Sequence, residues 1–270
     1  MDTLEQVKSA ARLSTGVEVR YVEQGPADAA EVILLLHGWP DSAFSFSRVL
    51  PRLASKGYRV FVIDQRGFGD STRPESGYAI DDFAADTVAF LDVLGIGEAT
   101  LVGHSMGTFV ARRVAELHPQ RVRRLVLIGT AVRTDNGVLR EVAELVRELP
   151  ETVPVEFTRE FQAGTLYAPV PDDFFDALVA ESRKAPARVW RKVIDGLLAF
   201  DDAQQLADIV APTLILGGQH DALFSVAEQT ALAAAIPAAR LMLYPDAGHS
   251  PNWEHPAKVA ADLDAFIRQT

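Results

Sequence analysis

Short apolar runs separated by longer stretches with helical spacing constrain this chain more than any other feature. The runs are residues 17–22, Val32–Leu36, 58–63, 99–102, 124–128, 213–216 and 240–243. That alternation is the pattern of βαβ units, because parallel strands need a crossover long enough to hold a helix. Residues 32–36 and 125–128 are apolar without a polar alternate, as in strands covered on both faces. Residues 17–22 do alternate, and Thr15-Gly16 before them can turn a hairpin, so this run predicts an antiparallel edge.

Helical spacing follows several runs. Apolar positions at 80, 83, 84, 87/88, 90/91 and 94 predict a helix over 80–94, and Gly95 marks its end. Further helices are expected at Met106–Leu117, Val226–Ala235 and 256–267. From 132 to 206 no strand signal occurs, only helical patterns punctuated by Pro150, Pro154, Pro169, Pro171 and Pro186. The reading is an α/β core formed by residues 1–131 and 207–270, with a helical insertion at 132–206.

Composition narrows the function. A chain of 270 residues with 48% apolar and 23% charged residues is globular and needs no disulfide or metal to hold its core. The net charge of −11 argues against nucleic acid and against a polybasic membrane contact. No cysteine is present, so thiolate nucleophiles and Cys-ligated metals are excluded. The first 20 residues lack a signal-peptide apolar core, and no apolar run approaches the ~18 residues of a spanning helix. A cytoplasmic protein, monomeric or homodimeric, is expected.

Gly103-His-Ser-Met-Gly107 lies between a predicted strand and a predicted helix, the setting of a nucleophile elbow. A serine hydroxyl needs a base. Of six histidines, His249, in Asp246-Ala-Gly-His249 after the last strand, is the best placed. His118 precedes a proline at a helix end, and His37 suits the shaping of a turn. The base in turn needs a carboxylate to fix its tautomer. Asp221 follows the strand at 213–216 and gives the order Ser…Asp…His. Asp246, on the same loop as His249, is the competing acid. For an oxyanion, the backbone amides of Trp39 and Met106 are the expected donors.

Taken together, His37-Gly-Trp-Pro40, Asp64-Gln-Arg-Gly-Phe-Gly-Asp-Ser71, Gly103-His-Ser-Met-Gly107, Gly218-Gln-His-Asp221 and Ala247-Gly-His249 resemble the α/β-hydrolase superfamily over essentially the whole chain. The resemblance implies a mostly parallel eight-stranded sheet with helices on both faces and a helical cap after the sixth strand, at 132–206. His37-Gly-Trp-Pro40 is similar to the oxyanion segment of epoxide hydrolases, haloalkane dehalogenases and cofactor-free haloperoxidases (perhydrolases). The first two use an aspartate nucleophile; a serine at that position would form an ether they could not hydrolyse. Perhydrolases carry serine, although usually after phenylalanine, where this chain has His104. The elbow also resembles those of carboxylesterases, lactonases, C–C bond hydrolases and a group of small-ligand receptors built on the same scaffold.

The implied activity is cleavage of a carboxylic ester or lactone through Ser105, His249 and Asp221, without metal or organic cofactor. A C–C hydrolase, a perhydrolase or a small-ligand receptor are the alternatives. Aromatic residues in 132–206 and near the motifs predict an apolar pocket for a medium-sized substrate. Its expected walls are Gly38, Trp39, Phe44, His104, Phe161, Tyr167, Trp190, Leu223 and Phe224.

Overall fold

The computed structural model describes residues 8–237 and 239–269. Eight strands form one sheet: β1 (Ser9–Arg12), β2 (Glu18–Gln24), β3 (Val32–Leu36), β4 (Arg59–Asp64), β5 (Ala99–His104), β6 (Val122–Ile128), β7 (Thr213–Gly218) and β8 (Ala239–Tyr244). Their order is β1-β2-β4-β3-β5-β6-β7-β8. β2 pairs antiparallel with both β1 and β4, and every other pairing is parallel. The mostly parallel eight-stranded α/β sheet expected from the sequence is therefore present.

One detail differs. The run at 17–22 is antiparallel as expected but lies second from the edge, because β1 pairs outside it with Ala11 opposite Val19. Ser9-Ala-Ala-Arg12 has no β-branched or aromatic residue, so no intrinsic preference announces it. Pairing with β2 after a turn at Thr15-Gly16 makes it a strand. The signal-peptide expectation falls partly on residues 1–7, which lie outside the described residues.

Alternate residues of the central strands serve opposite cores. Leu34, Leu36, Phe61, Ile63, Leu125 and Leu127 face one side. There they meet α2 (Ile80–Val93), α3 (Met106–Leu117) and α8 (Val226–Ala235). Ile33, Leu35, Val60, Val62, Val126 and Ile128 face the other. There they meet α1 (Leu50–Ala54) and α10 (Pro256–Gln269). A strand covered on both sides has no polar alternate, which explains the uninterrupted apolar runs. Each such side chain contributes roughly 1.5–3 kcal/mol of burial free energy.

Between β6 and β7 lie four helices, α4 (Gly137–Arg147), α5 (Val155–Ala163), α6 (Asp172–Ser182) and α7 (Ala187–Ala199). Pro154, Pro171 and Pro186 stand immediately before α5, α6 and α7 with extended backbone. They end one segment and preset the entry to the next, as proline does at helix starts. A short helix, α9 (Pro251–Glu254), precedes α10. Among the described residues, no helix is long and apolar enough to cross a membrane. The loops after β3, β5, β6, β7 and β8 all emerge at the carboxyl end of the parallel strands, where open α/β sheets form their ligand crevice.

Candidate active site

Ser105 occupies the single residue between β5 and α3, with φ 50° and ψ −118°. It is the only non-glycine residue with positive φ among those described. Such a conformation costs of order 1–3 kcal/mol and persists only where the surroundings enforce it. They do so here through close packing. A Cβ at Gly103 would sit 2.2 Å from the Gly107 carbonyl oxygen, and one at Gly107 would sit 2.1 Å from that of Leu36. The Ser105 amide donates to the Ile128 carbonyl at 2.9 Å. Met106 opens α3, so its amide has no acceptor within the helix.

His249 follows β8 and meets Asp221, which follows β7. Its Nδ1 lies 2.9 Å from Asp221 Oδ2. Asp221 Oδ1 accepts from the amides of Leu223 (2.8 Å) and Phe224 (2.9 Å), so the carboxylate is held at both oxygens. Both side chains are buried. A carboxylate acceptor places the imidazole hydrogen on Nδ1, which leaves Nε2 with its lone pair. Nε2 is buried and has no hydrogen-bond partner. The His249 amide donates to the carbonyl of Thr165, just beyond α5, at 2.8 Å. Asp246, the competing acid, is exposed and faces His255 Nε2 at 3.4 Å.

His37 shapes the loop between β3 and Ser105. Its Nδ1 donates to the Gly38 carbonyl (2.8 Å), and its Nε2 accepts from the Gln65 amide (3.0 Å). Burial lowers its pKa to about 4, which keeps the ring neutral and both bonds intact. The Trp39–Pro40 peptide is cis. Gly38 packs so closely that a Cβ there would be 3.0 Å from Ser105 Cβ.

Ser105 and His249 line one cavity. Trp39, His104, Phe161, Leu223 and Phe224 also line it, and Met106 joins them. Four of the proposed wall residues lie elsewhere, Gly38 among them, packed against Ser105. Phe44 stacks on Phe174 (5.4 Å between centroids) in a separate apolar cluster with Leu178. Tyr167 is 57% exposed and lies flat on His220 at 3.6 Å. Trp190 is fully buried behind the wall, edge-on to Trp39 (5.2 Å) and Phe161 (5.9 Å). It supports the lining without reaching the cavity, because its indole Nε1 is tied to the Ala185 carbonyl at 3.2 Å.

The sequence reading missed the polar corner of the cavity. Asp41 and Gln162 both line it and are buried. Gln162 Nε2 donates to Asp41 Oδ1 and to Ser182 Oγ, each at 2.8 Å. Burial pushes the Asp41 carboxyl up to about 7, against the opposing pull of the Gln162 bond and of His249. Its Oδ2 lies 3.8 Å from His104 Nδ1. His104 is itself held well below its ordinary pKa by burial and by the neighbouring His249. Only the position of Asp41, directly after the Gly-Trp-Pro turn, could have drawn attention to it; Gln162 lies in the last turn of α5 with no motif. Among the described residues, no group of three or more His, Asp or Glu side chains is placed to hold a metal ion.

Residues 31–256 match the family described as the alpha/beta hydrolase fold. The non-heme haloperoxidase of Rhodococcus erythropolis is 32% identical, over 94% of this chain and 97% of its own. The bifunctional esterase/perhydrolase of Acinetobacter calcoaceticus is 30% identical, over 94% of this chain and 97% of its own. A thermophilic esterase from Thermogutta terrifontis, solved with malate bound, superposes with a TM-score of 0.83 at 27% identity, covering 97% of this chain and 98% of that one. With its sheet order, its strained turn after β5 and its match over residues 31–256, the chain belongs to the alpha/beta-hydrolase family.

Proposed function

We propose that the protein is a serine hydrolase of carboxylic esters or lactones with a medium-sized apolar body. The observation that carries this reading is the His249 imidazole, anchored by Asp221 at 2.9 Å with a buried, unpartnered Nε2 in the cavity that also holds Ser105. A buried lone pair in the same cavity as a strained serine is suited to accept a proton.

In this reading Ser105 Oγ attacks the carbonyl carbon and its proton passes to His249 Nε2. Asp221 stays ionised, orients the Nδ1–H and stabilises the imidazolium. The amides of Trp39 and Met106 hold the oxyanion. Collapse of the tetrahedral species breaks the C–O bond, and Nε2 protonates the departing alcohol. Water then attacks the acyl-enzyme, gives a proton to Nε2 and releases the acid, and that proton returns to Ser105. Helices α4 to α7 act as a cap, from which Leu139 and Phe161 line the cavity. Serine in place of aspartate disfavours epoxide opening, since an alkyl ether on Ser105 would have no hydrolytic exit.

A second reading is favoured by the likeness to a haloperoxidase and an esterase/perhydrolase over 94% of the chain. Hydrogen peroxide would replace water at the acyl-enzyme and release a peracid. Both readings share the acyl-enzyme. Treatment with a fluorophosphonate, followed by mass mapping of the adduct, tests them together. One adduct on Ser105 with lost p-nitrophenyl ester turnover is expected, and turnover unchanged in Ser105→Ala overturns both.

A further inference from the structure

We propose that Asp41 and His104 form a hydroxyl-binding subsite beside Ser105, so that the preferred substrate is an ester or lactone carrying a hydroxyl close to its carbonyl. The inference rests on the serine hydrolase reading and names the substrate class for it.

The hydrogen-bond bookkeeping of the corner leads there. His104 Nε2 lies 3.3 Å from the His249 carbonyl oxygen, which can only accept. Ser250 Oγ, 3.4 Å from the same nitrogen, directs its own proton to Thr165 Oγ1. The hydrogen of the neutral ring therefore belongs on Nε2, and Nδ1 is a bare acceptor. Nδ1 is buried, has no hydrogen-bond partner, and belongs to a residue that lines the cavity.

Asp41 Oδ2 is 3.8 Å from that nitrogen, too far for a direct bond. Asp41 Oδ1 is already taken by Gln162. One oxygen seated against both atoms completes the corner: it accepts from the neutral Asp41 carboxyl and donates to His104 Nδ1. When Asp41 ionises, the same hydroxyl donates to Oδ2. A substrate carboxylate fails on both counts, since it sets an acceptor against Nδ1 and a negative charge against Asp41. An ammonium would bring a charge into a cavity whose walls are largely apolar, Trp39, Phe109, Leu139, Leu197 and Phe224 among them, and desolvation opposes it. The corner is also close to the chemistry. The point where a Gly38 Cβ would stand is 3.0 Å from Ser105 Cβ, 3.1 Å from His104 Nδ1 and 3.3 Å from Asp41 Oδ2. A hydroxyl on the second or third carbon of the acyl chain matches that reach.

Calorimetry on Ser105→Ala, which binds esters without turning them over, is the test. The probes are methyl 2-hydroxyhexanoate, methyl 3-hydroxyhexanoate, methyl hexanoate and methyl 2-aminohexanoate at pH 6. One hydroxy ester is expected to bind roughly tenfold more tightly than methyl hexanoate. That ratio should fall to about one when Asp41→Leu is added. It should persist with Asp41→Asn, whose amide can still donate to the hydroxyl while its oxygen accepts from Gln162. Equal affinities for hydroxy and plain esters overturn the subsite, as expected if the corner holds only a water. Tighter binding of the amino ester, a ratio unchanged in Asp41→Leu, or no binding of any ester overturns it too. Fluorophosphonate labelling of the wild-type protein is read separately: its absence overturns the serine hydrolase reading, whereas labelling with equal ester affinities overturns only the subsite.

Discussion

Gly129 lies directly beneath the His249 imidazole: a Cβ at Gly129 would stand 3.0 Å from His249 Nδ1 and 2.4 Å from the His249 carbonyl oxygen. With φ +60°, this glycine lets β6 end under the ring. A side chain at 129 would crowd the ring, and the carboxylate that meets Nδ1 comes from the loop after β7. Gly129→Ala should therefore push the ring off Asp221 and add backbone strain. We expect a loss of ester turnover of at least tenfold together with a lower melting temperature. Steady-state kinetics and calorimetric melting check both, and an alanine variant with native values would separate Gly129 from the base.

Ser105 carries strain that glycine would not. Ser105→Gly should abolish ester turnover and raise stability by about 1 kcal/mol, within the range of such backbone costs. Urea unfolding reads the gain. A variant less stable than wild type would mean that the elbow is not strained at this residue.

Asp221→Asn keeps the shape but offers an amide hydrogen to His249 Nδ1, favouring the tautomer with the proton on Nε2. Turnover should drop by about 10⁴, as in triads with this exchange. Folding should survive, because the Asn carbonyl can still accept from Leu223 and Phe224. Kinetics with a p-nitrophenyl ester measure the drop; a change below tenfold would remove Asp221 from the relay.

Asp41 and His37 pull stability in opposite directions with pH. The Asp41 carboxyl, raised to about 7 by burial, binds a proton in the folded state that the unfolded chain releases near 4. Its contribution is therefore favourable at low pH and is lost as pH rises from about 4 to 7. His37, lowered to about 4, contributes stability above about 6.5 that is lost as pH falls toward 4. Asp41→Asn should remove only the first trend. Melting temperatures from pH 4 to 8 should show the variant gaining on wild type as pH rises, and parallel curves would contradict the buried-acid assignment.

Trp190 supports Trp39 and Phe161 from behind with no exposed surface. Trp190→Ala should cost about 3–5 kcal/mol and slacken the cavity wall. A loss below 1 kcal/mol by urea unfolding would show that the wall stands without it.

The sheet was legible in the sequence because strands buried on both faces leave long apolar marks, as at Leu34, Leu35 and Leu36. Ser105, Asp221 and His249 could be singled out because glycine turns and strand ends frame them. Phe44, Tyr167 and Trp190 stand outside the cavity lining because aromatic character records burial and not direction. Packing sent Phe44 to Phe174 and Tyr167 to His220. Asp41 and Gln162 went unnoticed for the opposite reason. Their pairing spans 121 residues of sequence, and neither has a local signature.

The single hydrogen bond from the His249 amide to the Thr165 carbonyl ties the imidazole's backbone to the segment that roofs the cavity. Any swing of α5 that opened a doorway for a substrate would carry that carbonyl away and loosen the proton acceptor. In the proposed reaction the roof of the cavity and the base thus share one backbone tether, so whatever displaces residue 165 displaces the imidazole's anchor as well.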